Sequence, residues 1–313
     1  MKHIGYSIII PTHNSSSYIE PLLLSIPDRN DTEVIVIDDH SSADELSLTR
    51  DLLLKRCFPN AVILSNSGKR GAGAARNVGI DEASGDWLLF ADSDDIFTSR
   101  LSAALDTYLD SKSDLVMFRP MTQANSLHAT RTQEYESTYD RGILEEVGYS
   151  IAPMISKLFR HSMIIENGIR CSETLLSNDY MFSVTAFAHA HNPTIDNIPI
   201  YERVVRQNSL FNHTHSLDEL MIRAEIQVEV RDFLCARLQK ETLRRVTPFT
   251  GPYLKAALNV AGPIGVWRLR KIYAGHGLPI MRNPSIKKYL RRILRINKRN
   301  PLSGGISPES GEN

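Results

Sequence analysis

Several features are scarce in this sequence. No apolar run approaches the roughly 20 residues of a membrane-spanning helix, so a polytopic membrane protein is not expected. The 3 cysteines, Cys57, Cys171 and Cys235, are odd in number and far apart. They offer neither a disulfide framework nor paired zinc-ligand spacing, and they suggest a reducing compartment. Met1–Tyr6 shows no signal-peptide pattern and runs straight into a strand-like segment, so a cytoplasmic chain is expected. No aromatic RNA-binding motif is present, so no nucleic-acid partner is expected. Acidic residues are missing from Thr242 to Pro308, a stretch that holds 14 Lys and Arg. The formal net charge is zero, so the rest of the chain carries −14 (0 minus 14). Such asymmetry points to a surface partner of negative charge.

The first hundred residues alternate between apolar runs and helical patterns. Tyr6–Ile10, Glu33–Ile37, Ala61–Leu64 and Trp87–Phe90 read as buried strands. A helix is expected after Ser15/Ser16, and another over Asp44–Arg56 with Leu46, Leu53 and Leu54 on one face. Strand, helix, strand at this spacing predicts an α/β fold of parallel βαβ units with right-handed crossovers. In such sheets ligands bind beyond the carboxyl ends of the strands.

Two of those ends are acidic: Asp38-Asp39 and Asp92-Ser93-Asp94-Asp95. Carboxylates this close repel one another and call for a cationic partner. A hard divalent cation, Mg²⁺ or Mn²⁺, suits oxygen ligands of this kind. Between the two ends lies Gly68-Lys69-Arg70-Gly71-Ala72-Gly73-Ala74-Ala75-Arg76-Asn77-Val78-Gly79. Its glycines permit close backbone approach, and Lys69, Arg70 and Arg76 offer charge to phosphates. It fits neither the P-loop pattern nor the dinucleotide fingerprint.

Farther along, Ser99–Ser111 reads as a helix and Leu115–Phe118 as a strand, while Gln123–Tyr149 is polar and without a clear period. Ile155–Arg160 reads as a strand entering a helix at His161–Asn167. Ser177 or Asn178 suits the N-cap of a helix reaching Ala190, which puts Asp179 in its first turn, where the helix dipole favours an ionised carboxylate. Thr194–Val205 reads as extended, and Leu217–Leu243, Pro252–Ala261 and Pro263–Tyr273 as helical. Ile286, Tyr289, Leu290, Ile293 and Leu294 recur at helical spacing, with Lys287, Lys288, Arg291, Arg292 and Arg295 between them. That pattern is a cationic amphipathic helix, suited to an anionic membrane surface or to docking on the domain. The tail Pro301–Asn313 has the composition of a disordered segment.

Four segments in order resemble family 2 glycosyltransferases of the GT-A fold: Ser7–Asn14, Val36–Ser41, Gly73–Gly79 and Phe90–Asp95. Lys157–Arg160 and Asn178–Phe182 resemble the acceptor half of that family more loosely. The resemblance implies inverting transfer of a sugar from a nucleotide-diphosphate sugar, by family frequency a UDP-sugar, to an acceptor hydroxyl. It implies that Pro11, Thr12, Asn14 and Asp39 line the nucleotide pocket, with Arg76, in a loop, near the diphosphate. Asp92 and Ser93 would lie by the donor, Asp94 would hold the metal, and Asp179 would be the general base. Two departures stand out: Asn178 replaces the usual Glu before the base, and His40 stands where Gly is common.

The expected organisation is a nucleotide-sugar half (1–120) and an acceptor half (121–215) of one GT-A domain. A basic helical extension (216–300) and the tail (301–313) follow. The expected acceptor is a glycan or lipid-linked hydroxyl in cell-surface polysaccharide synthesis, with the protein peripheral on the inner membrane face. The rival is a GT-A module that binds a nucleotide-sugar or a partner without turnover.

Overall fold

The computed structural model describes residues 3–122, 129–204, 215–247, 250–276 and 278. The cationic pattern over Ile286–Ile296 and the tail lie outside the described residues. The first strands are β1 (Tyr6–Thr12), β2 (Thr32–Asp38), β3 (Ala61–Ser65) and β4 (Trp87–Phe90). Between them run α1 (Glu20–Ser25), α2 (Ala43–Arg56) and α3 (Ala72–Glu82). Next come β5 (Ile96–Phe97), α4 (Leu101–Tyr108), β6 (Leu115–Phe118), β7 (Met121–Thr122), α5 (Ala129–Arg141) and α6 (Leu144–Ser150). β8 (Lys157–Arg160), α7 (His161–Glu166), α8 (Tyr180–His189), β9 (Pro193–Asp196) and β10 (Tyr201–Arg203) follow. α9 (Leu217–Cys235), α10 (Lys240–Val246) and α11 (Gly251–Ala274) form the helical extension.

Seven strands form one sheet in the order β3-β2-β1-β4-β8-β6-β9. β1 pairs in parallel with β2 and β4, and β8 enters antiparallel between β4 and β6. Alternate residues of each strand feed opposite layers. Ile9, Ile35, Ile37, Leu88 and Phe90 face one core, while Ile8, Ile10, Val34, Val36 and Leu89 face the other. Burial on both faces explains the continuous apolar runs. Each such side chain contributes about 1.5–3 kcal/mol when taken fully out of water. β1, β2 and β4 run parallel, so their carboxyl ends open at one edge. A small second sheet, β5-β10-β7, lies just past the end of β4.

Some expectations are corrected. The helix expected after Ser15 begins only at Glu20, because the Ser15 hydroxyl is engaged by Thr12. In α2 the buried residues are Thr49 and Leu53, while Leu54 is exposed. Leu54 lies about 100° round the helix from Leu53, and here that turn carries it out of the buried face into solvent. The polar stretch after Gln123 contains α5 and α6, whose Tyr139, Val147 and Tyr149 reach the core. The extended segment expected over Thr194–Val205 is broken, in its described part, into β9 and β10, which lie in different sheets.

In the extension, the helix expected over Leu217–Leu243 is interrupted between α9 and α10. A capping box starts α9: Ser216 Oγ accepts the Glu219 N–H, and Glu219 returns to the Ser216 N–H. The two helices expected around Pro252–Tyr273 run as one element, α11, kinked at Gly262. Gly262 takes φ 61, and Pro263 supplies no N–H to the preceding turn. Leu220, Ala224, Leu254, Ala257, Leu269 and Tyr273 hold α9 against α11 in a core of their own.

Candidate active site at the carboxyl ends of the parallel strands

β1 ends in Pro11 and Thr12, and Asn14 follows at φ 46. The Asn14 N–H donates to Ser41 Oγ (2.9 Å), and its Oδ1 accepts the Ser42 N–H (3.1 Å). These bonds tie the β1 turn to the turn after β2. In that second turn His40 takes φ 63, a conformation that favours glycine.

Asp39 is buried and anchors the Gly-rich segment. Its Oδ1 accepts from Asn66 Nδ2 (2.7 Å), and its Oδ2 accepts the Gly71 N–H (2.8 Å). Gly71 itself takes φ 138 before α3 begins. Above it, Arg70 donates to His13 Nε2 (2.6 Å), while His13 Nδ1 meets the Asp39 carbonyl (2.9 Å). His13 therefore carries its proton on Nδ1 in this arrangement.

Arg76 corrects an expectation. It lies inside α3, not in a loop, and its side chain is only 7% exposed. Nη1 donates to Asn178 Oδ1 (2.8 Å), and Nη2 meets Asp92 Oδ1 (2.5 Å). Burial works against its charge, but Asp92, Cys171 and Asp179 together outweigh that cost and keep the guanidinium protonated. An amide at 178 is thus enough to accept from Arg76, where the family usually has a carboxylate. Gly73 makes this approach possible. A Cβ there would collide with the Ser172 carbonyl oxygen and stand 2.9 Å from Asn178 Cβ.

The four residues after β4 divide their work. Asp92, Ser93 and Asp94 are half-buried at the cleft, whereas Asp95 is buried. Asp95 accepts from Tyr201 Oη (2.9 Å) and the Val204 N–H (2.8 Å). Tyr201 Oη in turn accepts the Asp92 N–H (2.8 Å). Burial pushes the Asp95 carboxyl above the usual range, with the charges of Asp92 and Asp94 adding to the effect. The cationic partner that this crowding calls for comes in part from the chain itself, through Arg76 and the nearby Arg203. Asp95, Tyr201 and Arg203 carry no motif signal between 92 and 201, so sequence reasoning missed them as a unit.

Asp179 occupies the N-cap position of α8, not its first turn, and its side chain makes no capping bond. Burial raises its pKa; Arg76 opposes the shift, Asp92 adds to it, and Lys157 opposes it more weakly. The helix terminus was expected to favour the ionised form, but desolvation outweighs it.

Lys157 is a residue that sequence reasoning did not place in the site. It is buried at the start of β8, with Nζ donating to the Ile151 carbonyl (2.7 Å). Burial brings its pKa down to about 7, against the pull of Asp179. It lines a cavity with Phe118, Tyr135, Tyr139, Ile151 and Arg203. The cluster has hard oxygen donors in Asp92 and Asp94, next to a cleft between strand ends. These donors fit a small divalent cation, although no group of three or more His, Cys, Asp or Glu is gathered for a metal among the described residues.

The family model described as Glycosyl transferase family 2 matches residues 7–166. The sequence is 28% identical over 196 residues to the Staphylococcus aureus poly(ribitol-phosphate) beta-N-acetylglucosaminyltransferase TarS, covering 61% of this chain and 34% of TarS. It is 30% identical over 196 residues to a Bacillus spizizenii poly(ribitol-phosphate) beta-glucosyltransferase, covering 59% of this chain and 30% of that one. The match thus spans about a third of the length of these curated relatives. Among solved structures, S. aureus TarS 1-349 with UDP-GlcNAc superposes with a TM-score of 0.57 at 16% identity, covering 92% of each chain. The mannosyltransferase PcManGT of Pyrobaculum calidifontis, in complex with GDP-Man and Mn²⁺, superposes at 0.58 and 15% identity, covering 96% of this chain and 82% of that one. At such identity the superpositions show a shared fold.

Proposed function

Because the chain belongs to glycosyl transferase family 2 and has the GT-A fold, we propose that it moves a sugar from a nucleotide-diphosphate sugar to an acceptor hydroxyl, with inversion. The observation that carries this reading is the pair of hydrogen bonds that Arg76 donates, one to Asp92 and one to Asn178. It joins the donor-side strand end to the residue that precedes the candidate base.

The roles follow from position. Pro11, Thr12, Asn14 and Asp39 surround the nucleotide, and Asp92 and Ser93 face its ribose and diphosphate. Asp39 meets the base with lone pairs left over after its bonds to Asn66 and Gly71. Arg76 acts by holding Asp92 and Asn178 in place, and the exposed Lys69 and Arg70 are the cations within reach of phosphate. Asp94, with Asp92 beside it, would hold Mg²⁺ or Mn²⁺; when bound, such a cation neutralises charge on the leaving diphosphate.

Asp179 removes the proton of the acceptor hydroxyl. A sugar hydroxyl is a poor nucleophile until it is deprotonated, and one placed carboxylate suffices. The raised pKa makes that carboxylate a stronger base than an exposed aspartate. The cavity lined by Tyr135, Tyr139 and Lys157 provides walls for the acceptor on the same side. The donor half is residues 1–120 and the acceptor half 121–215.

The donor is a UDP-sugar, in keeping with the UDP-GlcNAc bound to TarS. A glycan or lipid-linked acceptor in surface-polymer synthesis accords with relatives named for poly(ribitol-phosphate). Among the described residues no helix is long and apolar enough to cross a membrane. The cationic pattern over Ile286–Ile296 would rest the protein on the inner membrane face. The rival reading, a binding module without turnover, is disfavoured by the retention of Asp179.

A nucleotide-sugar screen tests the proposal. UDP-, GDP- and dTDP-sugars are incubated with the full chain and Mg²⁺ or Mn²⁺, and released nucleotide is measured. Release from one UDP-sugar above the others is expected. Binding of a nucleotide-sugar without any release, with acceptor polymer present, would favour the binding module.

A further inference from the structure

The outer face of α11 is unusual for a helix that is packed on its other side. Leu269 and Tyr273 point into the core against α9. On the opposite face, Ile264 and Trp267 are 64% and 62% exposed, and before the kink Val260 is 41% exposed. Beyond the kink, Ile264, Trp267 and Lys271 follow one another at helical spacing. Lys271 Nζ lies 5.8 Å from the centroid of the Trp267 ring. Arg268 and Arg270 flank this stripe and are exposed, as are Arg244, Arg245 and Lys255. No acidic residue occurs between Thr242 and Pro308 to offset them. On α9, Asp232 is already paired with His276, at 2.7 Å.

We infer that this face of α11 docks on an anionic lipid surface, with Trp267 and Ile264 entering the interface and the basic side chains meeting headgroup phosphates. An exposed aromatic among Lys and Arg is the composition of an interfacial helix. Charge decides between occupants. The chain beyond residue 278 carries eight further Lys and Arg before its first acid, Glu309. Folded back on α11, that segment would set like charges together, and so would a second copy of the same face. An anionic bilayer complements both at once. The inference is independent of the sugar chemistry, since none of these residues lies in the cleft.

The molecule carries its own probe. It has 2 tryptophans, and Trp87 is fully buried in β4. Any shift of emission on vesicle binding therefore reports Trp267. The full chain is titrated with phosphatidylcholine vesicles with and without phosphatidylglycerol, and emission and co-sedimentation are recorded together. The expected result is a blue shift with the anionic vesicles only, reversed by high salt. Arg268→Gln with Lys271→Gln should weaken partitioning about tenfold or more, from the contribution of each cation near an anionic surface. Trp267→Phe should abolish the shift while the chain still sediments. These side chains are exposed, and unchanged far-UV circular dichroism checks that the variants fold. Sedimentation without a shift would assign binding to another part of the chain and overturn the inference. Failure to bind anionic vesicles would leave the face to a protein partner and overturn it equally, as would an equal shift with phosphatidylcholine alone.

Discussion

Arg76 and Asp92 meet at 2.5 Å while the other terminal nitrogen of the same guanidinium holds Asn178 at 2.8 Å. One side chain of α3 thereby fixes the end of β4 and the loop that leads to Asp179. The bond pair crosses the cleft that the parallel strands open.

Removing that side chain should cost stability as well as activity. Arg76→Ala leaves Asp92 facing Asp95 and Asp94 without its cation. Loss of one partner from a largely buried pair costs about 3 kcal/mol, read by urea unfolding. Arg76→Lys keeps the charge but cannot reach two acceptors with a fixed fork. It should recover most of the stability and little of the transfer rate. A variant with wild-type stability and rate would detach Arg76 from the site.

Much of the donor side was legible from residue order. Buried apolar runs revealed β1, β2 and β4, and the carboxylates closing β2 and β4 revealed the edge at which they open. The bonds that shape the site were not legible, because they join distant residues. Arg76 finds Asn178 across 102 positions, and Asp95 finds Tyr201 across 106. Gly73 could be read as permissive, but its neighbour at Ser172 could not. Asp179 was expected to be held ionised by its helix; only the packing around it shows that desolvation is the larger influence. Lys157 looked like any polar residue opening a strand until β8 was seen to insert between β4 and β6.

The pH behaviour follows from that packing. Asp179 must be ionised to act as a base, and its pKa is raised by burial. Activity should therefore fall on the acid side at a pH above that of an ordinary aspartate, measured as kcat against pH. Lys157 opposes the shift, so Lys157→Met should move the acid limb to still higher pH. An unmoved limb would remove Lys157 from the field of Asp179.

Lys157 also gives stability a slope. Its pKa in the folded chain is about 7, down from the ordinary lysine value of 10.5. Between these values the unfolded chain binds more protons than the folded one, so stability should rise as pH rises through that window. In Lys157→Met the rise should flatten, as read from unfolding free energies at pH 7 and pH 10.

Asp94→Ala addresses the cation. Donor binding should lose its dependence on Mn²⁺, because the diphosphate would meet Asp92 at the cleft with no cation between. Titration calorimetry with UDP, with and without Mn²⁺, measures it. Unchanged affinity in the variant would take the metal away from Asp94.

The central claim is that Asp179 is the base of a transferase, and one variant tests it most directly. Asp179→Asn keeps the size of the side chain and removes its proton-accepting charge. Binding of the nucleotide-sugar should stay near normal, since donor contacts do not involve the acceptor proton. Transfer measured on the same preparation should fall by roughly 10²–10⁴, the usual contribution of a positioned general base. Near-normal transfer by Asp179→Asn would contradict the account.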